Sequence, residues 1–276
     1  MISELKESEF YKCRYLLNEQ GQLEAKAVVE GINPGRIFVD DIESPASGLI
    51  WLGNNDGFFF IGDERNEGFN TELNRFIDTV IIPEAEKVGL TWFEGIGNHN
   101  KWDETIIKVF ENRNLGSWNQ RVYMLQKNDF KDNFELPIEE GYKVVKISKP
   151  LFKNSDKSIG NIEFLHSKIV EFWSSPDRFF NEGFGYGVVC KNKIVSVCFS
   201  GFVVDNVHCI DIETLEEHQG KKLAQNVAIA FVKDCLENNL VPYWDCMETN
   251  KPSIAVAENI GFRNVFNYIG YEFKFE

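Results

Sequence analysis

The feature that most restricts the fold of this chain is an order of apolar runs and breaks that occurs twice. In each half, short alternating runs precede a long helical stretch, one more strand, a shorter helix and a last strand. Setting Asn100-Lys101 against Asn250-Lys251 gives an offset of 150 residues, and the same offset pairs Leu90 with Leu240 and Gly35 with Gly185. Few other residues match, so what repeats is the pattern of burial.

In the first half, runs at residues 36–39, 48–52 and 58–61 are separated by Pro45, Gly53, Asn54, Asn55 and Gly57, which predicts an antiparallel meander. Leu73, Phe76, Ile77, Val80 and Ile81 fall on one face of a helix over residues 70–87, and Ile106, Ile107 and Phe110 on one face of another over 102–111. Strands are expected at 90–95 and 120–125. The polar stretch 127–141 reads as a linker. It sets the boundary near Phe134 and predicts domains at 1–133 and 134–276. The second half gives strands at 142–147, 185–190, 194–199, 207–214, 242–246 and 264–275, with helices at 162–173, 222–237 and 252–259. The expected class is therefore α/β (α+β), in two tandem halves.

A hydrophobic content of 43% over 276 residues is enough to bury such cores. Charged residues recur from Ile2 to Arg14 and no apolar run approaches a bilayer's width, so the expectation is a cytoplasmic protein without a membrane partner. A net charge of -14 opposes nucleic acid and suits a cationic substrate or simply a soluble surface. Cys13, Cys190, Cys198, Cys209, Cys235 and Cys246 form no metal-ligand spacing and read as reduced core thiols, so no metal is expected. Trp51, Phe58, Phe59, Phe60, Trp92 and Phe93 read as core rather than as a cleft lining.

The chemistry concentrates in residues 208–262. A strand over Cys209 to Thr214 leads through Gln219-Gly220-Lys221-Lys222 into a helix carrying Leu223, Ala224, Val227, Ala228, Phe231 and Cys235 on its apolar face. Unpaired N–H groups at a helix start attract phosphate, and Gly220 lets the backbone approach closely. Taken alone, these residues are better explained as an ordinary turn. They also lack the Ser or Thr of a Walker A loop. The second segment, from Pro242 to Phe262, reads as a strand, a bend at Asn250 and a helix closed by Gly261.

Together the two segments resemble the GNAT superfamily of N-acyltransferases. Gln219, Leu223 and Ala224 match its cofactor signature, and Asn250, Ser253, Ala257, Glu258 and Gly261-Phe262 match its later strand and helix; Lys222 departs from it, standing where the family has an inner glycine. GFGYGVV at 183–189, Trp244 to Cys246 and Asn250 to Ser253 are similar to the acetyltransferases of the zwittermicin A resistance type. The first half has Glu64-Arg65-Asn66-Glu67 in the corresponding connection, which makes it a degenerate GNAT-like half.

The resemblance implies acetyl-CoA as cosubstrate, with its pyrophosphate on Gln219, Gly220, Lys221, Lys222, Leu223 and Ala224. Its thioester carbonyl would meet a backbone N–H near Thr214, and Asn250 and Ser253 would either contact it or only cap their helix. The reaction implied is direct attack, in a ternary complex, by the amine of a small molecule. A protein amine and a non-catalytic CoA-binding role are the alternatives, and a homodimer is compatible with either. Glu213 and Asp245 are the candidate general bases, each set against a structural ion pair or hydrogen bond. Where many members have a helix Tyr as general acid, this chain has Ala257, which leaves Tyr268, Tyr271 or unassisted thiolate departure.

Overall fold

The computed structural model describes residues 1–55, 57–130, 137–155 and 157–275. The first half runs β1 (Ser3–Glu4), a 3-10 segment (Glu7–Leu16), α1 (Leu23–Val29), β2 (Gly35–Val39), β3 (Ser47–Leu52), β4 (Phe58–Gly62), α2 (Glu67–Phe76), a π turn (Ile77–Ile81), α3 (Ile82–Lys87), β5 (Trp92–Gly97), α4 (Trp102–Val109) and β6 (Gly116–Met124). The second half repeats the plan with β7 (Tyr142–Lys146), α5 (Lys149–Lys153), α6 (Ile162–Phe172), α7 (Pro176–Glu182), β8 (Gly185–Cys190), β9 (Lys193–Val204), β10 (Val207–Thr214), α8 (Leu223–Glu237), β11 (Val241–Met247), α9 (Lys251–Ile260) and β12 (Arg263–Lys274). Gly35 and Gly185, paired by the sequence offset, open β2 and β8.

The chain divides into two compact units, Met1–Gln120 with Asn267–Glu276, and Arg121–Phe266. The expected boundary at Phe134 lies outside the described residues. In the first unit the strands follow the order β1-β2-β3-β4-β5, and the end of β12 joins β5 antiparallel, from Gly270↔Ile96 to Lys274↔Trp92. In the second, the end of β6 lies beside β11, and the order continues β10-β9-β8-β7. Each half therefore gives its last strand to the sheet of the other.

Aromatic stacking fills the first core. Phe58 lies 5.2 Å from Trp51 and 4.6 Å from Phe93, which in turn stacks on Phe273 at 4.8 Å. Phe59 and Phe60 are buried as expected, whereas Trp92 is 42% exposed at the start of its strand. Leu73, Phe76, Ile77 and Ile81 are buried along α2 and the π turn. Pro83 has no N–H to offer the preceding turn, and the wider π turn lies directly before it.

In the second unit, Leu223, Val227, Phe231 and Cys235 of α8 pack with Val188, Cys198, Ile210 and Trp244. All six cysteines are free and buried. The ladder of β9 with β10 shifts register between Cys209 and Ile210, which leaves Gly201 as the extra residue of a bulge. A Cβ on Gly201 would come within 3.2 Å of the Phe172 ring, so the bulge packs closely under α6. Among the described residues no helix is long and apolar enough to cross a membrane.

His208 lies beside the bulge, 4% exposed, with Nδ1 2.9 Å from Ser200 Oγ. Burial pushes its pKa down to about 4, so the native state holds a neutral imidazole. The unfolded chain protonates this residue at a pKa of about 6.5. Its contribution is complete above that pH and is lost as pH falls through about 4. Up to about 3 kcal/mol of stability should disappear across this window. Urea midpoints measured from pH 7 to pH 4 should fall less steeply in His208→Gln than in the unaltered chain.

Candidate active site

The site begins where two parallel strands part. The ladder between β10 and β11 runs from Val207↔Val241 to Cys209↔Tyr243, while β10 continues to Thr214 and β11 to Met247. On its other side β10 stays paired with β9, and Leu215 N–H donates to Val195 O at 2.9 Å. An antiparallel ladder alternates between bonded and non-bonded pairs. With Leu215 bonded to β9, the N–H and C=O groups of Ile212 and Thr214 turn to the opposite edge, from which β11 has diverged. That edge can pair with an extended, amide-bearing ligand.

The equivalent strands of the first half stay together. Phe58, Phe59 and Phe60 pair with Gly95, Ile96 and Gly97, and Asn98 N–H closes the end on Phe60 O at 2.9 Å. Asn98 is buried and held in turn by Asn18 N–H at 2.7 Å and by Gln22 Oε1 at 3.1 Å. A polar network thus occupies the strand ends that lie open in the second half.

Past Thr214 a short 3-10 turn (Glu216–His218) leads to the loop. Gln219 Nε2 donates to Thr214 O at 3.2 Å, which ties the loop to the strand end. Gly220 and Lys222 both have left-handed backbones, with φ of +77° and +60°. Lys222 occupies the N-cap of α8, and among the described residues no side chain caps that helix. Its first-turn N–H donors, from Leu223 onward, are left for an anion, and the turn contains no acidic residue. The contrast with α2 is chemical. There Asn66 accepts from Phe69 N–H at 3.1 Å, and Asp63, Glu64 and Glu67 surround the helix start.

Asn250 and Ser253 form the start of α9. Asn250 accepts from Ser253 N–H at 3.2 Å, and Ser253 Oγ accepts from Trp244 Nε1 at 2.9 Å. Asn250 is thus the side chain that caps the helix, and the Ser253 hydroxyl ties that helix to Trp244 of β11. Thr214 Oγ1 is 2.8 Å from Ser196 Oγ.

The two candidate carboxylates lie on one face of the sheet. Glu213 Oε2 is 2.6 Å from Lys168 Nζ of α6, and that ammonium is also 3.3 Å from Glu171. Trp244 and Cys246 of β11 pack into the core with α8, so the alternation of the strand turns Asp245 the other way, to the face that carries Glu213. Asp211 lies on this face too, two residues before Glu213 along β10. Ala257 is fully buried in the core. Tyr268 and Tyr271 belong to the part of β12 in the first unit. Burial and the neighbouring Asp103 carboxylate push Tyr271 up to about 12. Sequence patterns gave no sign of Lys168 or of Tyr142 and His218 beside the loop, because ion pairs and hydrogen bonds between distant elements leave no periodicity.

An uncapped helix start beside two parting parallel strands, in the second of two halves that share one order of elements, fits an acyltransferase fold of the tandem GNAT kind. The chain belongs to the GNAT acetyltransferase family, whose model matches residues 14–271. It is an acetyltransferase, and enzymes of this family generally use acetyl-CoA. An uncharacterized N-acetyltransferase of Bacillus subtilis, YdfB, is 30% identical over 246 residues, covering 89% of this chain and 88% of the relative. In fold the chain is similar to a GCN5-related N-acetyltransferase-like protein from Streptococcus suis, with a TM-score of 0.69 at 21% identity, covering 96% of this chain and 98% of that one. It is also similar to a tandem GNAT protein from the clavulanic acid biosynthesis pathway, with a TM-score of 0.63 at 12% identity, covering 99% and 98%.

A carboxylate in the first turn of α8 should separate folding from cofactor affinity. Ala224→Glu favours the helix dipole by about 0.5 kcal/mol but sets a negative charge against phosphate. Its melting temperature should hold or rise while CoA affinity, measured by calorimetry, falls more than about tenfold.

Proposed function

We propose that this chain transfers the acetyl group of acetyl-CoA to a primary amine of a small molecule by direct attack in a ternary complex. The observation that carries the reading is the meeting of the open β10 edge with the uncapped start of α8. One presents peptide donors and acceptors to an extended ligand; the other presents donors to its phosphates. Orphaned helix donors without acidic neighbours fit a pyrophosphate, and a strand edge fits the amides of a pantetheine arm. Thr214 N–H, Gln219, Gly220, Lys221, Lys222, Leu223 and Ala224 would hold the cosubstrate, with Asn250 and Ser253 supporting the end of β11. Acetyl-CoA, when bound, supplies the reactive thioester.

The residues of the chain then have separate tasks. Thr214 N–H faces the gap and can stabilise negative charge on an acyl oxygen. An amine with a pKa near about 10 must lose a proton before it attacks. Asp245 is the acceptor we assign. Glu213, on the same face, already binds Lys168, and we assign it to orienting a cationic amine. The -14 net charge favours such an acceptor at long range. The likeness to zwittermicin A resistance enzymes supports a small molecule over a protein amine. The first half, with its strand ends filled by Asn98 and an acidic loop, serves as a scaffold without a cofactor of its own.

The test is thiol release from acetyl-CoA against a panel of aminated metabolites and peptides. Asp245→Asn should lower kcat by about a hundredfold with little change in KM for acetyl-CoA. Glu213→Gln should act mainly on KM for the amine. Turnover on peptides alone would replace the small-molecule reading, and tight acetyl-CoA binding with no turnover on any amine would overturn it.

A further inference from the structure

We propose that Tyr142 is a positioning residue for the cofactor loop, and that its hydroxyl clasps the loop in a conformation that Lys222 would otherwise resist. The inference rests on the reading of residues 219–224 as the pyrophosphate loop.

Lys221 Nζ donates to Tyr142 Oη at 2.6 Å and lies 5.0 Å from the centre of its ring. The same hydroxyl is 2.9 Å from His218 Nδ1. The ammonium can only donate, so the hydroxyl accepts from Lys221, and its own hydrogen is available to Nδ1 in the tautomer that carries its proton on Nε2. One side chain on β7 thereby ties down residues on both sides of Gln219 and Gly220.

The loop needs this restraint. Gly220 accepts its left-handed backbone freely, but Lys222, at φ +60°, has a side chain that disfavours that region. Lys222 is exposed, and it is the preceding residue, Lys221, that is held. The donors at the start of α8 converge on a phosphate only while Lys222 keeps this turn. The clasp thus does by tethering what an inner glycine would do by conformational freedom.

Calorimetry on the full chain tests this, with CoA and with pantetheine, which lacks the pyrophosphate. Tyr142→Phe should weaken CoA binding about tenfold while leaving pantetheine binding and the melting temperature unchanged. In a Lys222→Gly background the same substitution should cost less than about threefold, because glycine keeps the turn without help. An equal loss for CoA and pantetheine, or the same CoA loss in both backgrounds, would overturn the proposal. If Tyr142→Phe does not fold, His218→Ala releases the other arm of the clasp and should show the same dependence on Lys222. Failure of the unaltered chain to bind CoA would remove the loop reading itself. Binding by the unaltered chain with undiminished affinity in Tyr142→Phe would remove only the clasp.

Discussion

The rest of the second half depends on the parting of β10 from β11 after Cys209 and Tyr243. A sheet that stayed paired would spend the N–H groups of Ile212 and Thr214 and the C=O of Ile212 internally, whereas Thr214 C=O is already engaged by Gln219. The bulge at Gly201 lies where the ladder with β9 shifts register, and bulges bend a strand and strengthen its twist. The first half shows the alternative outcome of the same topology. Its β4 and β5 run together to Phe60↔Gly97, and Asn98 seals the end. One architecture thus gives an open strand gap in one copy and a closed polar plug in the other.

Electrostatics separates the two copies as sharply as geometry does. Gly220, Lys221 and Lys222 precede α8, while Asp63, Glu64 and Glu67 stand around the start of α2. Each helix start carries the same partial positive charge. In the first half that charge is met from within the chain, by the Asn66 cap and the first-turn Glu67, and in the second it has neither a side-chain cap nor a first-turn carboxylate. A strongly acidic net charge is therefore compatible with a locally positive helix start, because the helix-end field acts over one turn.

Much of this was legible in the sequence, and the reasons are local. Val207–Thr214 shows strand alternation at both ends, and α8 carries an apolar stripe from Leu223 to Cys235, so both elements lie where the pattern put them. The strand expected at 194–199 continues to Val204, because Gly201 reads as a break in sequence but is a bulge in the structure. Similarly, α5 and α7, of five and seven residues, are too short to show a helical period. At the site, the loop and the two carboxylates could be named because their types and spacing resemble a family signature. The Lys168–Glu213 pair and the Tyr142 contacts could not, since they join residues far apart in sequence. The identical offset in both halves revealed the duplication but not the exchange of last strands, which leaves the order of elements along the chain unchanged.

That exchange bears on how the molecule is made. The sheet of the first unit needs Gly270 to Lys274, which follow every helix of the second half in the chain. An emerging first half would hold β5 with an unpaired edge, next to the stacked ring of Phe93, until the second half has also been made. The sheet of the half made first is thus completed only by residues made after the second. The two halves share a single kinetic commitment, in which the strand that follows α9 also closes the sheet of the first half.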